Sequence, residues 1–414
     1  MKDAQRTAAG RVAEVISGHS LAYAAGETDA MVRDLTYGTL RHLGTQRVIL
    51  RSLAPRGVAE PGLEALLSVG LYQLQHTRAA PYTVVDQAVA AARAMGFERA
   101  AAFVNAALRR FLRERDQLVA QARQDPEGRW SHPAWWIDRL RAEYPDAAEA
   151  ILAAGLSHPP MAVRPNLRRT TLADYRERLA ADGIESVDVA PAALLLPKPV
   201  PVRRLPGFQE GLVSVQDAGA QWAARLLAPS DGMRVLDACA APGGKAAHLL
   251  ESAAIQLTAL DADPSRLDDA RRNFVRLGLD ARCIAADAAR VRDWWDGEPF
   301  QRVLLDAPCS GSGIVRRHPD ARWLRRPGDI ASFAATQRAL LTALWQVLEP
   351  GGTLLYVTCS VFREENAEVV DAFLRGRDDA RRLPATGLPS ADGCLLPDAG
   401  HDGFFYALLG KRVP

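Results

Sequence analysis

Four apolar runs that each end in an aspartate constrain this chain most. RVLDACAAPGGK, LTALDAD, RCIAAD and RVLLDAPC carry Asp237, Asp261, Asp287 and Asp306 at their ends. Helical stretches such as PSRLDDARRNFVRLG lie between several of them. A further helix is expected from the N-cap candidate Asp329, through Phe333, Leu341, Leu344 and Leu348, to the stop EPGG, with strand TLLYVTCS after it. Strands alternating with helices argue an α/β domain over residues 217–414, built on a doubly wound parallel sheet. Such sheets hold their ligands at the carboxyl edge of the strands, where the four aspartates would gather.

The rest of the chain has a different texture. Up to residue 140 the pattern is helical: Leu63, Leu66, Leu67, Leu71 and Leu74 share one stripe, and Val104, Ala107, Leu108, Phe111 and Leu112 another. Residues 1–140 therefore read as an all-α domain. Between 141 and 216 prolines cluster and short β-like runs flank LADYRERLAADG, which suggests a small α+β linker module. With 48% hydrophobic and 24% charged residues in 414, the chain has the balance of a globular protein. No apolar run is long enough to span a bilayer, and the N-terminal stretch lacks a signal peptide's apolar block. The five cysteines form no CxxC pair and the eight histidines are dispersed, so no metal site is expected and the cytoplasm is the expected compartment.

DACAAPGGK is a glycine-rich turn between strand and helix. It lacks the spacing of a P-loop, and the dinucleotide fingerprint GxGxxG is absent as well. Alone it could be a purely structural turn. Asp261, at the next strand's end, can accept both hydroxyl hydrogens of a ribose, and Asp287 suits an adenine amino group. A nucleoside cofactor without a pyrophosphate, such as S-adenosylmethionine, fits this set best.

Two thiols, Cys309 in DAPCSGSG and Cys359 in TCSVFREEN, stand at strand ends on the same expected edge. A free cysteine is usually a small core hydrophobe, and that reading is mainly kept for Cys239, Cys283 and Cys394 taken alone. No GxSxG elbow surrounds Ser310 or Ser312, and nothing identifies His318 as a base for Cys309, so protease chemistry is a poor fit. A thiolate at this edge could instead add to C6 of a cytosine, with a carboxyl group at N3, and so activate C5 toward a methyl donor. Spacing does not say which thiol attacks.

RRHPDARWLRR follows directly and holds Arg316, Arg317, His318, Arg322, Trp323, Arg325 and Arg326. Such a run is often a solvated face. Here it is also a candidate RNA surface, with an aromatic to stack on a base and arginines for phosphates. Arg109, Arg110, Arg113, Arg203 and Arg204 are candidates to extend it.

Taken together, DACAAPGGK, DAPCSGSG and TCSVFREEN resemble the RNA 5-methylcytosine methyltransferases. VGLYQLQHTR, VNAALRRF, SHPAWW, HPPMAVRPN, GLVSVQDAGAQ, RRHPDARWLRR and DGFFYALL extend the likeness to the Fmu/Sun (RsmB) family. The resemblance implies a class I Rossmann-like methyltransferase domain, preceded by a NusB-like RNA-binding domain and the α+β module. It implies small-subunit (16S) rRNA as substrate; naked or early-assembly RNA and a monomeric enzyme are the expected setting. It further implies S-adenosylmethionine contacts from Cys239, Ala240, Ala241, Pro242, Gly243, Gly244, Lys245, Asp261, Asp287 and Asp306. Cys359 is then the nucleophile, Cys309 assists product release, and Asp306 aids ring activation. Rival readings are a methyltransferase acting on tRNA or another rRNA site, and a non-catalytic NusB-like RNA-binding factor. Residues 370–400 carry no motif that the resemblance uses and are expected to form a variable loop.

Overall fold

The computed structural model describes residues 2–21, 29–189 and 192–413. They form two compact units, residues 1–158 with 315–327, and residues 159–314 with 328–414.

The first unit is helical throughout its described residues. Its main helices are Lys2–Ile16, Ala30–Arg41, Leu43–Leu53, Pro61–His76, Pro81–Ala94 and Ala101–Arg113. Prolines open the fourth and fifth of these, where the missing N–H would find no helical partner in any case. The sequence suggests one buried stripe on Pro61–His76, but every residue from Ala65 to Leu74 is buried. Neighbours pack around the whole helix because small residues let them approach. At Gly38 an added Cβ would lie 2.0 Å from the Tyr72 ring, and at Gly70 one would lie 3.0 Å from Leu108. On Ala101–Arg113 the expected face is buried at Val104, Ala107, Leu108 and Phe111. Arg109 and Arg113 are exposed, while Arg110 is bound to Glu114 and to the Ser52 carbonyl.

The helical run passes the expected boundary at 140, continuing through Ala134–Glu143 and Ala148–Leu156. A second departure is the return of residues 315–327 to this unit. Trp323 donates its indole N–H to the Leu40 carbonyl at 2.8 Å, and Arg47 lies over its ring. Arg322 is fully buried and donates to the carbonyls of Ser131, Gly155 and Val315. Arg316 is also buried, with its carbonyl accepting from Arg41. The reading of Arg316, Arg322 and Trp323 as an RNA surface is therefore corrected: their side chains serve the packing of this unit. Arg317, His318 and Arg325 are partly buried and Arg326 is exposed, so the basic run is not a uniformly solvated face.

The second unit holds two sheets. Strands β1 (Met161–Pro165), β2 (Val187–Val189), β3 (Ala193–Leu196) and β4 (Val213–Val215) form an antiparallel sheet in the order β2-β3-β1-β4. Helix Leu172–Ala181 belongs to this module, with Thr171 capping its N-terminus through the Asp174 N–H.

The larger sheet contains β5 (Arg234–Ala238), β6 (Gln256–Asp261), β7 (Arg282–Ala285), β8 (Phe300–Asp306), β9 (Leu348–Thr358), β10 (Ala380–Leu383), β11 (Cys394–Leu395) and β12 (Phe404–Lys411). Its order is β10-β12-β9-β8-β5-β6-β7, with β11 paired to β12. The five strands β5 to β9 run parallel, and β12 adds antiparallel to β9. Side chains alternate strictly between two cores. Leu236, Val303, Leu305, Leu354, Tyr356 and Phe405 enter one, with Leu341, Leu344 and Trp345 from helix Pro327–Val347. Val235, Leu304, Leu355, Val357 and Tyr406 enter the other, with helices Gly244–Ser252 and Pro264–Leu277. Both faces are covered, as a doubly wound sheet requires.

Two local expectations are corrected. The helix expected from Asp329 begins at Pro327 and ends at Val347, and EPGG lies inside β9. There Phe300 pairs with Leu348 and Arg302 with Thr353, so the four residues EPGG bulge opposite Gln301, with Gly351 at φ +83° making the turn possible. Residues 370–400 are not one loop, since they include the end of helix Ala367–Arg375 together with β10 and β11.

Candidate active site

In the larger sheet the chain moves outward from β5 to β7, then returns to place β8 on the other side of β5. The turns after β5 and β8 therefore flank the topological switch point, the usual crevice for a ligand.

After β5, Cys239 takes the left-handed φ of +62° and Gly243 a φ of +89°. A Cβ on Gly243 would lie 2.9 Å from that of Ala270, so glycine is required both for conformation and for closeness to helix Pro264–Leu277. The turn is held by the next strand: Ala240 N–H donates to the Leu260 carbonyl and Ala241 N–H to Asp261 Oδ2 at 3.0 Å. Asp261 Oδ1 also accepts from the Asp263 N–H, at 3.0 Å. Lys245 donates to Asp306 Oδ2 at 2.6 Å, joining this turn to the end of β8. Burial alone would pull the ammonium down, but Asp306, by charge and hydrogen bond, holds Lys245 above its ordinary pKa.

The small sheet supports the same turn from β1. Arg164 is buried, donates to both oxygens of Glu251 at 3.0 and 2.8 Å, and reaches the Gly244 carbonyl at 3.0 Å. It also donates to Gln216. A buried, bidentate pair of this kind fixes geometry, and losing one partner would strand the other charge.

Asp237 is fully buried and both carboxyl oxygens lack a hydrogen-bond partner among the described residues. Burial and the nearby Asp306 charge push its pKa well above the ordinary value. Asp287 is exposed, with Oδ1 accepting from the Ala289 N–H. Cys239, closely packed, has its thiol pushed up to about 12 by burial and then by Asp306, which makes it a poor nucleophile.

The two other strand-end thiols meet. Cys309 Sγ and Cys359 Sγ are 3.2 Å apart, within sulfur hydrogen-bond reach. The hydrogen bond to Cys359, then burial, pushes the Cys309 thiol well above its ordinary pKa. Below them lies a polar cluster that the reading of motifs missed. Glu365 Oε1 accepts from the Ser310 N–H at 2.7 Å, and Oε2 accepts from Ser310 Oγ and Ser360 Oγ, each at 2.6 Å. Gln337 and Asn366 complete it. The available signal was the serine after each cysteine, with two glutamates in the second motif.

Among the described residues no group of three or more His, Cys, Asp or Glu could hold a metal ion, and no helix is long and apolar enough to cross a membrane.

A glycine-rich turn joined through a lysine to an aspartate, at the switch point of a doubly wound sheet ending in an antiparallel strand, defines a Rossmann-like methyltransferase unit. Comparison with known proteins agrees. The family model "16S rRNA methyltransferase RsmB/F" matches residues 224–410, the RsmF/B-like ferredoxin-like domain 132–203, and the NusB family 7–113. A ribosomal RNA small subunit methyltransferase B from Vibrio cholerae is 42% identical over 388 residues, covering 92% of this chain and 89% of that one. Its counterpart in Xylella fastidiosa is 45% identical over 394 residues, covering 93% and 90%. Among solved structures, PH0851 superposes with a TM-score of 0.81 at 24% identity, covering 98% of this chain and 99% of that one. A methyltransferase homolog from Pyrococcus horikoshii gives 0.60 at 29% identity, covering 69% and 97%. The chain belongs to the RsmB/F family of 16S rRNA methyltransferases. Its three expected parts, NusB-like, ferredoxin-like and Rossmann-like, are all present.

Proposed function

We propose that this chain transfers a methyl group from S-adenosylmethionine to C5 of one cytosine in small-subunit rRNA, through a covalent bond between Cys359 and C6 of the base. The observation that carries the reading is the 3.2 Å approach of Cys309 and Cys359 on the same strand edge as the Lys245–Asp306 pair. The relatives' names supply the small-subunit RNA. Naked or early-assembly RNA in the cytoplasm, met by a monomer, is the setting we propose.

The residues of the turn fit the cofactor. A Cβ at Gly244 would meet only Gln216 Nε2, at 3.8 Å, so there is room for a ligand against the backbone. Asp237 has two oxygens without a partner among the described residues, and exposed Asp287 is accessible to an adenine amino group. Each oxygen of Asp261 accepts one backbone N–H and keeps a second lone pair for a ribose hydroxyl. Residues 239–245 would line the remainder, with Lys245 holding Asp306 in position. When bound, S-adenosylmethionine supplies an electrophilic methyl group on a sulfonium sulfur.

Cys359 attacks C6 as a thiolate, and the ring's electron pair moves toward N3, which takes a proton relayed from the Lys245 ammonium through Asp306 and returns it by the same route when the ring is restored. The pair then returns through C5, which takes the methyl group. Loss of the C5 proton and breakage of the C6–S bond restore the aromatic ring and return the electron pair to Cys359. Cys309, 3.2 Å from the attacking thiol, assists this release.

The test offers unmodified small-subunit rRNA and unmodified tRNA to the enzyme with labelled cofactor, then maps products by bisulfite sequencing. One protected cytosine in the rRNA, with tRNA silent, is expected. Label in tRNA alone would overturn the substrate and keep the chemistry.

A further inference from the structure

Each of the two thiols is followed by a serine, and both serines meet one carboxylate. Ser310, next to Cys309, gives Glu365 both its N–H and its hydroxyl, at 2.7 and 2.6 Å. Ser360, next to Cys359, gives its hydroxyl at 2.6 Å. The two hydroxyls also lie 3.2 Å from each other, and Ser312 Oγ reaches Ser360 Oγ at 2.9 Å while accepting from the Val361 N–H. Glu365 is completely buried, and so are Ser310 and Ser360. Its backbone is anchored as well, since the Tyr356 hydroxyl donates to the Glu365 carbonyl at 2.6 Å. Asn366 ties the same turn down by donating to the Ser360 carbonyl and accepting from Thr358.

A buried carboxylate is costly unless it is well hydrogen-bonded, and four donors converge on this one. Burial raises its pKa, while the serine hydrogen bonds oppose that rise. The Glu365 charge also bears on the Cys309 thiol, but the hydrogen bonds to this carboxylate come from Ser310, Ser360 and Gln337. What the arrangement constrains is the relative position of two turns that come from strands β8 and β9.

We propose that Glu365 is a positioning residue that sets the spacing of the two thiols by clamping the serine after each. The proposal rests on the two-thiol reading above, and deepens it by naming what makes the thiols act on one base. Covalent steps need reacting atoms held near 3 Å, and a displacement of about 1 Å can cost about 100-fold in rate. Loss of the clamp should therefore lower kcat and leave the KM for RNA and cofactor unchanged.

Two readouts separate the clamp from the catalytic reading. The first is dibromobimane, which fluoresces once it bridges two thiols and requires neither RNA nor cofactor. In the full chain, bridging should be rapid and should vanish in Cys359→Ser. Glu365→Ala should slow it at least tenfold with the same number of reactive thiols. Glu365→Gln should restore most of it, because the amide oxygen can accept from the Ser310 N–H while its N–H group donates to the two serine hydroxyls. The second readout is methyl transfer. Glu365→Ala should lose about 100-fold in kcat, and Glu365→Gln should stay within about tenfold of the parent. If Glu365→Ala does not fold, the double variant Ser310→Ala/Ser360→Ala carries the same expectations. Unchanged bridging in a folded Glu365→Ala chain would overturn the clamp, as would slowed bridging with unchanged kcat. Absence of an RNA adduct on Cys359 would overturn the catalytic reading instead, while the bridging result would still decide the clamp.

Discussion

Lys245 Nζ and Asp306 Oδ2 lie 2.6 Å apart, linking the glycine-rich turn after β5 to the end of β8. The strands are hydrogen-bonded neighbours, so this ion pair closes the crevice floor between the cofactor-side turn and the thiol-side turn. Lys245→Met would keep the side chain's length and leave Asp306 without its paired ammonium. Affinity for S-adenosylmethionine should fall at least tenfold by calorimetric titration, equivalent to about 1.4 kcal/mol. Unchanged affinity would remove the pair from the cofactor site.

Arg322 tests the corrected role of the basic run. Its guanidinium is buried against three carbonyls, and burial, then Arg41, lowers its pKa to about 9. Arg322→Ala would leave those carbonyls buried and unsatisfied, at a cost of about 1–3 kcal/mol for each group stranded. A lowered thermal transition of the full chain is expected. A native-like transition with weakened RNA binding would instead restore the surface reading.

The first unit should lose stability in mild acid. His42 and His76 stack at 4.1 Å, and burial, then the neighbouring histidine, lowers the His42 pKa to about 3. The unfolded chain takes up this proton at the ordinary value of 6.5, so stability is full above 6.5 and declines as pH falls toward 3. His42→Phe, which keeps a ring in the stack, should flatten the fall in melting temperature between pH 7 and pH 5. An unaltered pH profile would show that other groups govern it.

Asp237 gives the opposite sign. Its carboxyl pKa is raised by burial and then by Asp306, so the folded chain keeps a proton that the unfolded chain releases above 3.8. Stability therefore declines as pH rises through that window, by about 1.4 kcal/mol for each pH unit in which the difference holds. Asp237→Asn should melt higher than the parent at pH 8, with the gain shrinking toward pH 4. Equal melting at both pH values would mean that the carboxyl is not held protonated.

How far the sequence carries the fold can be seen strand by strand. The runs ending at Asp237, Asp261, Asp287 and Asp306 are local signals, each a short apolar strand with an acidic end, and helices follow the first two directly, whereas only the short turn Val291–Asp293 separates Asp287 from β8. All four ends lie along the parallel part of the sheet, the third just beyond β7. Residues 315–327 carry no such local sign. Their pairing with the helical unit depends on carbonyls at Ser131 and Gly155, more than 150 residues away, and Arg322 is buried only because those partners exist. Charge composition cannot distinguish an arginine facing solvent from one that anchors a returning segment. The same limit hid Glu365: the motif TCSVFREEN displays two adjacent glutamates, and only the three-dimensional meeting of Ser310 and Ser360 shows which one is used. EPGG reads as a helix stop, which is correct for Val347, but the following bulge belongs to a strand because Gln301 on β8 accommodates it.

The most direct test of the two-thiol account is denaturing electrophoresis of enzyme incubated with unmodified small-subunit rRNA and S-adenosylmethionine. Cys309→Ser should accumulate a protein–RNA adduct that survives denaturation, because attack by Cys359 proceeds while release is slowed. Cys359→Ser should form no adduct and transfer no methyl group. An adduct in Cys359→Ser and none in Cys309→Ser would contradict the assignment and exchange the roles of the two thiols.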